Sequence, residues 1–253
     1  MPDPSMMMFS RPLNCEWCSD GYYALSHMVK DAAAKGSWTC IDMAESHATQ
    51  EYIFPAISQY DPAYFFGFGH GSYTTFTGDT TQEIFSVNNC SNLAGRYVYL
   101  LSCLTANLLG PAIIDAGAKE YAGYNISWAW VPGTTTDPYD DNVSKCTWES
   151  ANEFWHAFMD TGSFDAAYQA SIDKYNWWIN YWMKTEPENP NSLECIKELL
   201  HDRDGLVVIH AGEVVTPTQG GLELPAIIVW GTILTLLGGA LWWMLAKPKP
   251  KRG

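Results

Sequence analysis

YFFGFGHGSYTTFTGDT, residues 64–80, runs an apolar segment into Gly-His-Gly and then turns polar. The run AYFFGFG, 63–69, reads as a buried strand, so His70 stands where that strand ends. One strand later RYVYLLSCLTANLLG, 96–110, ends its apolar run at Ser102-Cys103. Its strand is expected at 97–102, and a helix at Leu104–Ala116 that Gly117 stops. Outward from these, strands are predicted at 6–10, 38–44 (buried), 119–130 (one or two) and 205–212. Helices are predicted from an N-cap at Asp20 to Lys35, from Thr49 to Ser58 with Pro55 interrupting, and at 145–159, 163–184 and 192–200. Strands alternating with helices predict an α/β fold with a mainly parallel sheet covered on both faces. In such folds the working groups gather beyond the carboxyl ends of the strands. Were the two strands neighbours, His70 and Cys103 would emerge at one sheet edge.

A chain of 253 residues accommodates a large core, and its 28 acidic against 14 basic residues exclude the basic footprint of a nucleic-acid binder. Four of the basic residues, Lys247, Lys249, Lys251 and Arg252, fall in the last seven positions. They follow LPAIIVWGTILTLLGGALWWMLA, residues 224–246, an uncharged stretch long enough to cross a hydrocarbon core of roughly 30 Å. Trp242 and Trp243 beside the cluster resemble an interfacial anchor. The expected organisation is a domain at 1–215, a linker at 216–223, a single membrane span at 224–246 and a basic tail at 247–253. Gly231, Thr235 and Gly239 form a small-residue face through which spans can pair into a homo-oligomer. The tail charge leans the domain slightly towards the extracytoplasmic side, as do sequons at Asn89, Asn125 and Asn142. MPDPSMMMFSRPL, 1–13, lacks a secretory leader's basic lead and long apolar run and pulls the other way. Seven cysteines fit either three pairs and one thiol or seven thiols.

A thiol attacks as its thiolate, and an imidazole can take its proton and later return it to the leaving group. A helix beginning at Cys103 would favour negative charge on sulfur, and Gly71, lacking a side chain, lets its N–H approach a developing oxyanion beside the N–H of Cys103. Against this stands the ordinary role of a cysteine at a strand end, which is packing. Cys15 and Cys18 in NCEWC have the spacing of a zinc knuckle or a redox pair. With no second pair, and Cys40 and His47 only remote candidates, the reading is a disulfide or two thiols and no metal. His27, His47, His156, His201 and His210 have no companion nucleophile at a strand end. No nucleotide loop is present, and no cofactor is called for.

GFGHGS, the strand YVYLLSC, the helix leading into DAGAKEYAGY, and FMDTGSFDAAYQASIDKY together resemble the caspase-like cysteine peptidases of clan CD. The likeness is closest to gingipain-type peptidases and CHAT domains and covers roughly residues 5–212. It implies a three-layer sandwich with His70 as general base, Cys103 as nucleophile, the amides of Gly71 and Cys103 as oxyanion hole, and a protein or peptide substrate. Ser102 departs from the alanine many members have there, and no third residue orienting His70 is identifiable. The function expected is a membrane-anchored cysteine endopeptidase. Its alternative is a catalytically inactive module that binds or regulates a partner at the membrane. In PGTTTDPYDDNVS, 132–144, Asp137, Asp140 and Asp141 are expected to draw an Arg or Lys side chain of the substrate, or to be solvated turn residues.

Overall fold

The structure, a computed structural model, describes residues 1–211 and 213–215. The linker, span and tail expected from residue 216 onward lie outside the described residues. Among those described, no helix is long and apolar enough to cross a membrane.

Among the described residues, nine strands and six α-helices follow in chain order. They are β1 (Asp3–Arg11), α1 (Cys18–Lys35), β2 (Thr39–Ala44), α2 (Gln50–Tyr60), β3 (Pro62–Phe68), β4 (Thr75–Thr77), β5 (Glu83–Ser86) and β6 (Tyr97–Leu101). Then come α3 (Leu109–Asp115), β7 (Glu120–Tyr124), α4 (Asn142–Thr161), α5 (Phe164–Lys184), α6 (Ser192–Gly205), β8 (Leu206–His210) and β9 (Glu213–Val215). Seven strands form one sheet in the order β2-β1-β3-β6-β7-β8-β9. Pairing is parallel from β2 to β7, and β8 and β9 close the sheet antiparallel.

Alternation along the strands builds two cores, one on each face. Phe9, Phe66, Phe68, Tyr99, Leu101 and Tyr124 point to one face, where α1, α4 and α5 cover them. Met8, Phe65, Val98, Leu100, Tyr121 and Ile209 point to the other, under α2, α3 and the β4–β5 hairpin. The result is a three-layer sandwich. Trp155 on α4 is fully buried in the first core, its ring centroid 3.8 Å from that of Phe66 and 5.2 Å from that of Phe9.

Four expectations need correction. Segment 38–44 is an edge strand rather than a buried one, because it pairs only with β1 and its residues are half-buried or exposed. Asp20 does not cap α1. The helix opens three residues earlier, capped at Trp17 in the left-handed region (φ 64°), where the Cys18 N–H closes a turn onto the Cys15 carbonyl at 3.2 Å. The helix expected from Leu104 begins only at Leu109. Leu104 is left-handed (φ 63°), and the Leu104 and Ala106 amides donate to the Ile126 and Tyr124 carbonyls at 2.8 and 3.0 Å instead of closing helical turns. The cysteines match neither count, since Cys15 and Cys18 form a disulfide and the other five are thiols.

Candidate active site

β3 and β6 are hydrogen-bonded neighbours, in a register that sets Phe68 opposite Leu101. His70 and Cys103 each lie two residues beyond that pair. Adjacent strands run about 4.8 Å apart, so the register starts both residues from neighbouring positions at the carboxyl edge of the sheet. Both line a cleft of about 350 Å³, walled mainly by Trp17, Phe68, Trp128 and Trp130.

The imidazole is held by a group no side-chain reading could name. Its Nε2 lies 2.9 Å from the backbone carbonyl oxygen of Glu16. A carbonyl only accepts, so Nε2 carries the proton and Nδ1 is left with the lone pair a general base requires. Glu16 sits in the turn that the Cys15–Cys18 disulfide closes. The orienting partner is therefore main chain, fixed by covalent geometry.

The thiol is placed by the turn between β6 and α3. Ser102 is buried, and its Oγ lies 3.0 Å from Thr105 Oγ1, which accepts the Tyr121 hydroxyl at 2.9 Å. The serine is thus a strut tying the turn to β7. The Cys103 thiol donates to the Trp128 carbonyl at 3.5 Å. Burial pushes the thiol above its ordinary pKa. With α3 starting six residues later, helix amides do not offset that burial. Cys103 rests as a neutral thiol. Alkylation of Cys103 by iodoacetamide in the ligand-free protein is therefore expected to climb continuously between about pH 6 and 8. A plateau across that window would instead reveal a preformed thiolate–imidazolium pair.

Gly71 lies against this turn. A Cβ there would stand 2.3 Å from the Cys103 carbonyl oxygen, so only glycine lets the two segments meet this closely. The Ser72 and Thr77 amides bond to the Thr75 and His70 carbonyls, both at 2.9 Å, which leaves the Gly71 N–H outside that ladder.

Behind the lining residue Ala129 lies a buried acid that the sequence does not single out. Asp202 on α6 accepts the Ala129 N–H at 3.2 Å, while its other carboxyl oxygen is buried without a partner among the described residues. Burial raises its pKa well above the ordinary carboxylate range, so the side chain is held as the neutral acid. The unfolded chain releases this proton near pH 4 and the folded chain keeps it, so Asp202 erodes stability as pH rises above about 4. Asp202→Asn cannot titrate, and its stability relative to wild type is expected to grow from pH 4 to pH 7 in denaturant melts. An equal difference at both pH values would mean that Asp202 ionises in the native fold.

The aspartates of 132–144 are elsewhere. Asp137 pairs with His27 at 2.8 Å and caps a short turn at Tyr139 N–H. Asp141 caps α4 through the Val143 N–H and accepts from Thr134. Asp140 is exposed, and none of the three lines the cleft. The carboxylates beside it are Glu16, on its wall, and Asp20, which accepts the Nε1–H of the wall residue Trp130 at 2.8 Å.

No family model matches the chain, and no curated protein matches it in sequence. Among solved structures, the complex of the pro- and mature domains of Porphyromonas gingivalis RgpB aligns with a TM-score of 0.55 at 11% identity. The alignment covers 81% of this chain. The fold is caspase-like. This chain spans 47% of the matched RgpB chain, and at such identity the likeness is one of fold. The remaining histidines sit apart from the cleft. His210 faces Asp165 and Glu120, His156 faces Asp31, His201 bonds the Ser127 carbonyl and His47 stacks edge-on to Tyr52. The Trp-rich wall at 127–130 had a legible composition, but a strand was expected there and the chain makes a loop instead.

Proposed function

We propose that the protein is a cysteine endopeptidase held at a membrane by residues 224–246. The observation that carries the reading is the register of β3 with β6, which brings His70 and Cys103 to one cleft. Cys103 loses its proton to Nδ1 of His70 as its sulfur attacks a peptide carbonyl. The tetrahedral oxyanion is received by the amides of Gly71 and Cys103, and His70 returns the proton to the departing amine. Water, deprotonated by His70, then cleaves the thioester. No metal or organic cofactor enters these steps. The side chain on the amino side of the cut enters an aromatic-walled cleft. An Arg or Lys there would lay its methylene stem on the Trp faces and set its charge towards Glu16 or Asp20 rather than towards the 132–144 aspartates. A protein or peptide partner agrees with the RgpB structure, which is itself a complex of pro- and mature domains.

A second reading, an inactive membrane-bound binding module, is favoured by the neutral, helix-free setting of Cys103. A thiol-reactive peptide carrying Arg at the cleavage position separates the two. Covalent capture at Cys103, lost in His70→Ala, supports the peptidase; no capture in the intact protein supports the module.

Deletion of residues 222–253 is expected to leave a soluble domain that melts in one cooperative transition. Both cores, among the described residues, are built from residues 7–209. Aggregation of the truncated chain, or loss of its transition, would place the last segment in the core.

A further inference from the structure

The sequence leaves NCEWC without the second ligand pair a zinc site needs. The fold supplies the missing ligand from 52 residues away. The sulfurs of Cys15 and Cys18 and a ring nitrogen of His70 lie within 4.8 Å of one another. Ligands sharing one tetrahedral zinc ion stand roughly 3.5 Å apart, given Zn–S near 2.3 Å and Zn–N near 2.0 Å. The two sulfurs, joined in the disulfide at a bonded distance of about 2 Å, must therefore part by roughly 1.7 Å on reduction, and the ring nitrogen must close by at most about 1.3 Å. A CxxC turn opening a helix is a common way of presenting two sulfurs to one metal. Cys18 is moreover the first residue of the 18-residue helix α1, where unpaired amides favour a thiolate. Two thiolates and an imidazole select a zinc-type ion over Mg²⁺ or Ca²⁺, and their two negative charges neutralise it.

We propose that Cys15, Cys18 and His70 form a three-ligand site for Zn²⁺ that opens only when the Cys15–Cys18 disulfide is reduced, and that the ion, once bound, withdraws His70 from Cys103. A dithiol reductant delivers two electrons and two protons to the disulfide and leaves as its own disulfide. Zn²⁺ then displaces the two thiol protons to solvent, and water fills its fourth position. In the disulfide state the same turn presents the Glu16 carbonyl to Nε2 of His70. In the zinc state that ring is a ligand and cannot cycle a proton. The binding site stands apart from the peptidase reading; only its effect on turnover rests on that reading.

Titration of the full 253-residue chain with Co²⁺ under anaerobic conditions reads the site without any turnover. The reduced chain is expected to take up one ion, with thiolate-to-cobalt charge transfer and the visible bands of a tetrahedral complex, and the oxidised chain none. Cys15→Ser and His70→Ala should each weaken uptake about tenfold or more, while Cys103→Ala should stay within about twofold of wild type. Cys15 is on a half-buried turn, so its serine variant decides the matter even where Cys18→Ser fails to fold. Uptake by the oxidised chain, undiminished uptake by Cys15→Ser or His70→Ala, loss in Cys103→Ala, or no uptake by the reduced chain overturns the proposal. Inactivity towards every peptide, with the cobalt pattern intact, would count against the peptidase and leave the metal site standing.

Discussion

Cys103→Ala is expected to reduce peptide hydrolysis to the uncatalysed background, and His70→Ala to lower kcat/KM by about 10²–10⁴. The two losses differ in kind. Without sulfur no thioester forms, and every other group in the cleft acts on an intermediate that no longer exists. Without the imidazole the nucleophile survives but faces its own protonation, because burial holds Cys103 as a neutral thiol. The deficit of His70→Ala should therefore shrink as pH rises and the thiol ionises unaided, while that of Cys103→Ala should not. Neither change touches either core, so both variants should melt close to wild type. Wild-type turnover in Cys103→Ala would falsify the assignment of the nucleophile.

The largest effect on stability is expected at Trp155, where alanine should cost about 3–5 kcal/mol. The indole is fully buried between the sheet and α4 and contacts Phe9, Phe66 and Phe158, so its loss empties the first core at its centre. One feature trims the cost. Its Nε1–H is buried without a partner among the described residues, and removing an unpaired donor returns part of the loss. Trp155→Phe keeps most of the apolar volume, deletes that donor, and should cost much less than alanine. Urea unfolding of both variants provides the check. A loss below about 1 kcal/mol for Trp155→Ala would mean that the core collapses readily around the gap.

The strands bearing His70 and Cys103 were legible because parallel strands buried on both faces are written as unbroken apolar runs, and Gly-His-Gly and Ser-Cys mark where those runs stop. The β4–β5 hairpin was not. Its strands have three and four residues, and Thr, Gly and Asp between them read as loop. The helix expected at Leu104 failed for a related reason: its amides are claimed by carbonyls of the next strand and loop, a tertiary contact that overrides a helical pattern. The group orienting His70 was invisible in principle, because every residue has a carbonyl. The aspartates of 132–144 misled through their composition alone. Helix capping calls for the same residues that would attract a cation, and here Asp137 and Asp141 serve as caps.

The two halves of the proposed dyad are anchored unequally. The turn bearing Cys103 is bonded to the Ile126 and Tyr124 carbonyls and to the Tyr121 hydroxyl, all on or just beyond a central strand of the sheet. The ring of His70 takes its orientation from a single peripheral turn. Heating or reduction should accordingly disarm the protein in two stages. The histidine's aim would go first, in a still-folded molecule with its thiol in place, and the sulfur would be displaced only when the sheet itself comes apart. An early, reversible loss of function on warming would then belong to residues 15–18, and a later, irreversible one to the domain.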